Sequence, residues 1–163
     1  FLGFVNGNVI FGPHTLIDIR ILPIDSAVTE RLTRLFERLI IAAEQGRTDV
    51  DSSLAGQFIA AADEGLIRHF HVAQLLAASG YLQEALALVR DRLNQGDTFI
   101  HKSGILSRPA FHAARQDHAI MEYFNLSGRL EDWWKTDTWP DFCSDQQLPY
   151  DCEQAELRIL ESG

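Results

Sequence analysis

Long apolar runs are missing from this chain of 163 residues. None reaches the roughly 18 consecutive apolar residues that a helix needs to cross a bilayer. The apolar opening, FLGFVNGNVIFG, is broken by Asn and Gly and lacks the basic start of a secretory leader. Membrane insertion is therefore not expected. Because the chain begins at Phe1, it is expected to be a piece of a longer protein. A basic excess is missing too: 14 Lys and Arg face 23 Asp and Glu, for a net charge of −9. From Glu131 onward the imbalance is steepest, nine acids against two bases. Such a surface repels phosphate backbones, which argues against nucleic acid as a partner. A basic protein or peptide is its physical complement, and the same acids also serve as a solvated face.

Motifs that carry chemistry are scarce. There is no Gly-rich phosphate loop and no Gly-x-Ser-x-Gly elbow. Asp49-Val50-Asp51-Ser52-Ser53 lacks the central Gly and closing Glu of a calcium loop. His69 and His71 flank Phe70, but residues two apart on a helix point about 200° apart and do not share a metal. His112, Asp117 and His118 form a weak metal candidate at most. The two cysteines, Cys143 and Cys152, are too few for a zinc site, and no His lies between them. Two readings of them stay open: packed free thiols, or a disulfide closing a short loop, worth about 2–3 kcal/mol and requiring an oxidising compartment. No cofactor, metal or catalytic residue is expected.

What the sequence does contain is helical period. Hydrophobic content of 46% and charged content of 23% suffice for a core. Residues 1–24 read as an extended segment: Thr15, Ile17, Ile19 and Ile21 share one strand face, and Asn6-Gly7 suits a hairpin turn. From residue 25 the period changes. Val28, Leu32, Leu35, Phe36, Leu39, Ile40 and Ala43 predict a helix that Asp25 or Ser26 starts and Gly46 ends. Leu54, Phe58, Ile59 and Ala62 predict a second, stopped at Gly65. A third is expected from Leu66 to about Ser79 and a fourth from Tyr81 to Gln95. Short Gly-containing connections make neighbours antiparallel. Beyond Asp97 the pattern loosens. Pro109 suits a short helix through Arg115, Asp117–Leu126 and the run RLEDWWKT give further helical turns, and Asp151 suits the cap of a last helix holding Cys152, Ala155 and Ile159. The expected class is all-α in the main, with antiparallel hairpins stacked as a short solenoid or bundle over residues 25–163.

Within LLAASGYLQEALALVRDRL, Leu76, Gly80, Ala85 and Val89 resemble one tetratricopeptide repeat. There a small residue at the turn and an Ala in the second helix let the pair close. Farther on, Pro109, Arg115, Asp117, Gly128, Leu130, Trp133, Trp134, Trp139, Pro140, Asp141, Phe142 and Cys143 resemble the closing segment of bacterial tetratricopeptide-repeat proteins of the winged-helix or cyclase-associated regulator type. His118 stands where that segment has Pro, and Arg129 separates its Gly from its Leu. The likeness spans roughly residues 66–152. It implies a non-catalytic interaction scaffold, part of a bacterial regulator or sensor, in the cytoplasm or, if the cysteines are bonded, the periplasm.

The candidate binding residues follow from this. A concave face from the first helices of the hairpins, around Leu66–Ala77, would present Phe70 and Gln74 to a protein or peptide. Trp133, Trp134, Trp139, Phe142 and Tyr150 crowd into 18 residues of a Trp-rich cap over 129–163. They are expected either to plug the open end of the stack or to form a platform for a small ligand or peptide.

Overall fold

The structure, a computed structural model, describes residues 2–5, 8–11, 15–17, 26–44, 52–145 and 147–162. Three short strands come first: β1 (Leu2–Val5), β2 (Asn8–Phe11) and β3 (Thr15–Ile17). They form an antiparallel sheet in the order β1-β2-β3. Val5 stands opposite Asn8, and Phe11 opposite Thr15. The expected turn at Asn6-Gly7, the expected strand beyond Ile17 and the expected boundary at 24/25 lie outside the described residues. Among the described residues eight α-helices follow, and the class is all-α in the main. The chain groups into two compact units, Phe1–Val89 and Arg90–Gly163.

In the N-terminal unit, α1 (Ser26–Glu44) and α2 (Ser52–Asp63) form the first hairpin. Arg31, early in α1, forks onto Glu64 just past the end of α2, while Arg38 donates to the Gln57 amide oxygen at 2.9 Å. Early-to-late and middle-to-middle contacts of this kind mean antiparallel helices. Leu32, Leu35, Phe36 and Leu39 of α1 are buried, as are Leu54, Phe58, Ala61 and Ala62 of α2. The Phe36 and Phe58 rings meet edge to face at 5.3 Å between centroids. Fully burying a side chain such as Phe58 stabilises by about 1.5–3 kcal/mol, whereas the exposed Arg31–Glu64 pair is screened by solvent and contributes little.

The third helix starts later than its apolar pattern predicts: α3 is His69–Ala78. Leu66 donates its N–H to the Ala61 carbonyl at 2.9 Å, and Gly65 donates to Ala62. Residues 66–68 are thereby spent in closing α2. His69 meets Asp63 across this turn, Nε2 to Oδ1 at 2.8 Å. The α3 helix is apolar nearly all round, and Val72–Ala77 are all buried. It ends at Gly80, whose φ of +92° suits the left-handed position, and Tyr81 N–H reaches back to Leu76 O at 2.9 Å. The next helix, α4, is Leu82–Asn94. Leu76, Ala85 and Val89, the apolar residues of the repeat-like stretch, are fully buried.

The C-terminal unit, where the apolar pattern is loosest, is nevertheless folded into short elements. Asp97 caps α5 (Thr98–Ser103), accepting from the N–H groups of Phe99 at 2.9 Å and Ile100 at 3.1 Å. Tight turns at Ile105–Ser107, Pro109–Phe111 and Ala113–Gln116 follow. The helix expected from Pro109 through Arg115 is thus two separate 3-10 turns. The Arg115 guanidinium holds this fold-back, donating to the carbonyls of Ser107 at 3.2 Å and Arg108 at 2.9 Å. Next come α6 (Ile120–Leu126), α7 (Arg129–Thr136) and α8 (Cys152–Ser162), with α6 packed on both α7 and α8. The α8 helix starts as expected, with Asp151 accepting from Gln154 N–H at 3.0 Å.

Candidate functional site

The C-terminal unit contains a partly open cavity of about 180 Å³. Its walls come from three helices that the sequence pattern anticipated and from a short helix and turn that it left undefined. The end of α4 contributes Leu93, α5 contributes Ile100, and the following turn contributes Ile105 and Leu106. The other wall is Phe124 of α6 and Trp133 of α7. Most of these are buried because they also serve the core: Ile100 and Ile105 are each 2% exposed. Gly104, at φ +59°, ends α5 and turns the chain so that Ile100 and Ile105 line the same space.

Aromatic stacking builds the Trp133 side. The Phe124 ring lies 4.8 Å from Trp133 and 5.6 Å from Phe142, the latter nearly parallel. Trp139 lies 6.3 Å from Trp133. The Arg115 guanidinium sits 5.5 Å from the centre of the Phe142 ring, and burial pushes its pKa down. The chain reaches this arrangement through Asp137, a non-glycine residue at φ +49°, which ends α7 in the left-handed region. Thr138 N–H then returns to Trp133 O at 3.2 Å, and Pro140, on the cavity, leads into a 3-10 turn at Asp141–Ser144. Cys143 of that turn is joined by a disulfide to Cys152 at the start of α8, with the Cα atoms 5.8 Å apart. The free-thiol reading of the two cysteines does not hold.

The rim of the cavity is polar and basic. His101 Nδ1 lies 3.4 Å from Ser127 O, and the Arg129 guanidinium donates to Lys102 O at 3.4 Å. These two contacts tie the end of α5 to the α6–α7 turn. His101, Ser127, Arg129 and Ser107 all line the space, and among the described residues no carboxylate does.

The expected site residues divide. Trp133 is on the cavity; Trp139 and Phe142 are half-buried around it. Trp134, its neighbour on α7, is 48% exposed. Tyr150 lines a different, more polar cavity with His118, Gln154 and Arg158. Burial, with the charge of Asp117 in support, pushes the Tyr150 phenol up to about 12, and its hydroxyl is buried without a partner among the described residues. Phe70 is half-buried on α3 with its ring 5.5 Å from that of His71. Gln74, expected on a partner-facing surface, is buried at 9% exposure. The reason is the all-round apolar composition of α3. The cavity walls from Ile100, Ile105 and Leu106 were missed. For Ile100 the available signal was the pair Asp97 and Gly104, an N-cap and a C-cap with six residues between them.

Among the described residues no group of three His, Cys, Asp or Glu side chains is placed to hold a metal, and no helix is long and apolar enough to cross a membrane. No family model, no curated protein and no solved structure matches the chain.

Proposed function

We propose that this chain is a non-catalytic binding module: a helical-repeat scaffold whose C-terminal unit senses a small, largely apolar ligand. The observation that carries this reading is the 180 Å³ cavity with aliphatic and aromatic walls and a polar rim. An apolar cavity of about 150 Å³ already takes up benzene, whereas pockets for drug-sized ligands start at about 300 Å³. The ligand is therefore about the size of one aromatic ring with a short substituent. The Trp-rich segment acts as one wall, so occupancy is felt by the α7–α8 connection that the disulfide pins. A thermal-shift screen of small aromatic and branched aliphatic compounds tests this. A ligand that binds only the folded state raises the melting temperature, by RT ln(1 + [L]/Kd) in stability terms. Stabilisation that disappears in Ser107→Trp, which blocks the mouth from an exposed position, supports the reading. A screen without shifts, or with shifts that Ser107→Trp leaves intact, rejects it.

A second reading, a docking scaffold for a protein or peptide, is favoured by Phe99, Leu126 and Trp134. These large apolar residues of the same unit are 48%, 40% and 48% exposed. Exposed aromatics anchor partners, and the acidic segment from Glu131 biases the choice toward basic ones. The likeness to bacterial tetratricopeptide regulators fits both readings. Cross-linking that recovers a partner, lost when Trp134 is replaced by Ser, would favour the second.

A further inference from the structure

The cavity has a sign as well as a shape. In a chain with 23 acids and 14 bases, a random surface patch is more often acidic than basic. Among the described residues the cavity lining instead holds Arg129 and His101 with no Asp or Glu. Arg129 carries five N–H donors, and among the described residues its guanidinium makes one long contact, 3.4 Å to Lys102 O. No carboxylate pairs with it among the described residues. The nearest acid in sequence on the same helix turn, Glu131, is engaged by Lys135, four residues on, which holds its carboxyl below the usual range. The other acid of that turn, Asp132, is exposed and does not line the cavity. An Arg at the edge of an apolar cavity, with donors to spare, has the geometry to recognise a carboxylate by a forked hydrogen bond.

We infer that the ligand is a small monocarboxylate: an apolar body the size of a benzene ring, seated between Ile105, Leu106, Phe124 and Trp133, whose carboxylate accepts hydrogen bonds from Arg129 at the rim. Arg129 is the donor at the rim: the Ser127 hydroxyl already donates to the Phe124 carbonyl at 2.8 Å, and His101 Nδ1 faces the Ser127 carbonyl. Hydroxyl and amide analogues present no matching charge. The inference rests on the reading of the cavity as a ligand site and adds the chemical class of that ligand.

The test uses phenylacetate and phenylacetamide, which have the same heavy-atom count and shape and differ in charge. Each is titrated into the purified chain at neutral pH and low salt by calorimetry or ligand-observed NMR, with unmodified protein, Arg129→Gln and Ser107→Trp. The expected result is that phenylacetate binds about tenfold or more tighter than the amide, the increment of a charge-assisted hydrogen bond. Arg129→Gln reduces that advantage to less than about threefold, weakening the acid far more than the amide, and added salt shrinks it in the unmodified protein. Equal binding of acid and amide, or an equal loss of both in Arg129→Gln, overturns carboxylate recognition and leaves the cavity as a neutral apolar site. Binding of neither compound to folded protein, or binding of both that Ser107→Trp does not weaken, overturns the site itself.

Discussion

Trp133 and Trp134 are adjacent in sequence and opposite in consequence, and the contrast can be measured. Trp133 touches Phe124, Trp139 and Phe142, with centroids 4.8, 6.3 and 6.4 Å away. Trp134 is 48% exposed. Truncating a fully buried Trp to Ala costs about 3–5 kcal/mol. Trp133 is only partly buried, since one side faces the cavity, so the expected loss for Trp133→Ala is about 2–3 kcal/mol. Trp134→Ala should cost less than about 1 kcal/mol, the range of a surface change. In urea, with a slope of about 2 kcal/mol per molar, these losses move the midpoint down by about 1–1.5 M and by less than about 0.5 M. Far-ultraviolet circular dichroism is the right probe, because indole fluorescence changes with the substitution itself. With two compact units the transition need not be a single step, so the comparison is made on the step that both variants share. Equal losses, or a larger loss for Trp134→Ala, would refute the packing of Trp133 described above.

Three further outcomes are expected. Gly56 is exposed in the interior of α2, and a Cβ there would meet nothing within 4 Å. Gly56→Ala should therefore stabilise by about 0.5–1 kcal/mol in urea unfolding, and destabilisation would mean that α2 is not continuous there. Glu156 of α8 is 1% exposed, its Oε2 has no partner among the described residues, and burial together with Glu153 raises its pKa. The folded state then holds that proton more tightly than the unfolded chain, so this group lowers stability as pH rises from the ordinary glutamate range through its raised value. Glu156→Gln should flatten the stability profile in that window and gain on the order of 1 kcal/mol at neutral pH; an unchanged profile would contradict the burial. Reducing the Cys143–Cys152 bond should cost about 2–3 kcal/mol, from the loop entropy of a nine-residue separation, read as a lower melting temperature in dithiothreitol.

The N-terminal helices were legible because each carries one dominant period. Leu32, Leu35, Phe36 and Leu39 recur at helical spacing and are all buried on one side of α1. Gly65 and Gly80 mark helix ends because their φ values, +77° and +92°, are those an L side chain resists. Legibility failed where apolar residues were shared between elements. Ile100, Ile105 and Leu106 belong to a six-residue helix and a 3-10 turn, too short for any period to emerge, yet they wall the cavity. Gln74 misled in the opposite way: a polar residue on α3 suggested a surface, but Val72, Ala73, Leu75 and Leu76 beside it are buried and take it with them. The Trp-rich segment was legible as aromatic density alone. That Trp133 faces the cavity while Trp134 faces solvent depends on where α7 begins, and Gly128, at φ +69°, fixes that point.

The most direct measurement places the ligand against one indole. The chain has three tryptophans, so fluorotryptophan labelling gives three fluorine NMR signals, assigned with single Trp→Phe variants. On saturation with phenylacetate the Trp133 signal should shift most, Trp139 less, and Trp134 not at all. A shift at Trp134 with Trp133 unmoved would contradict the account.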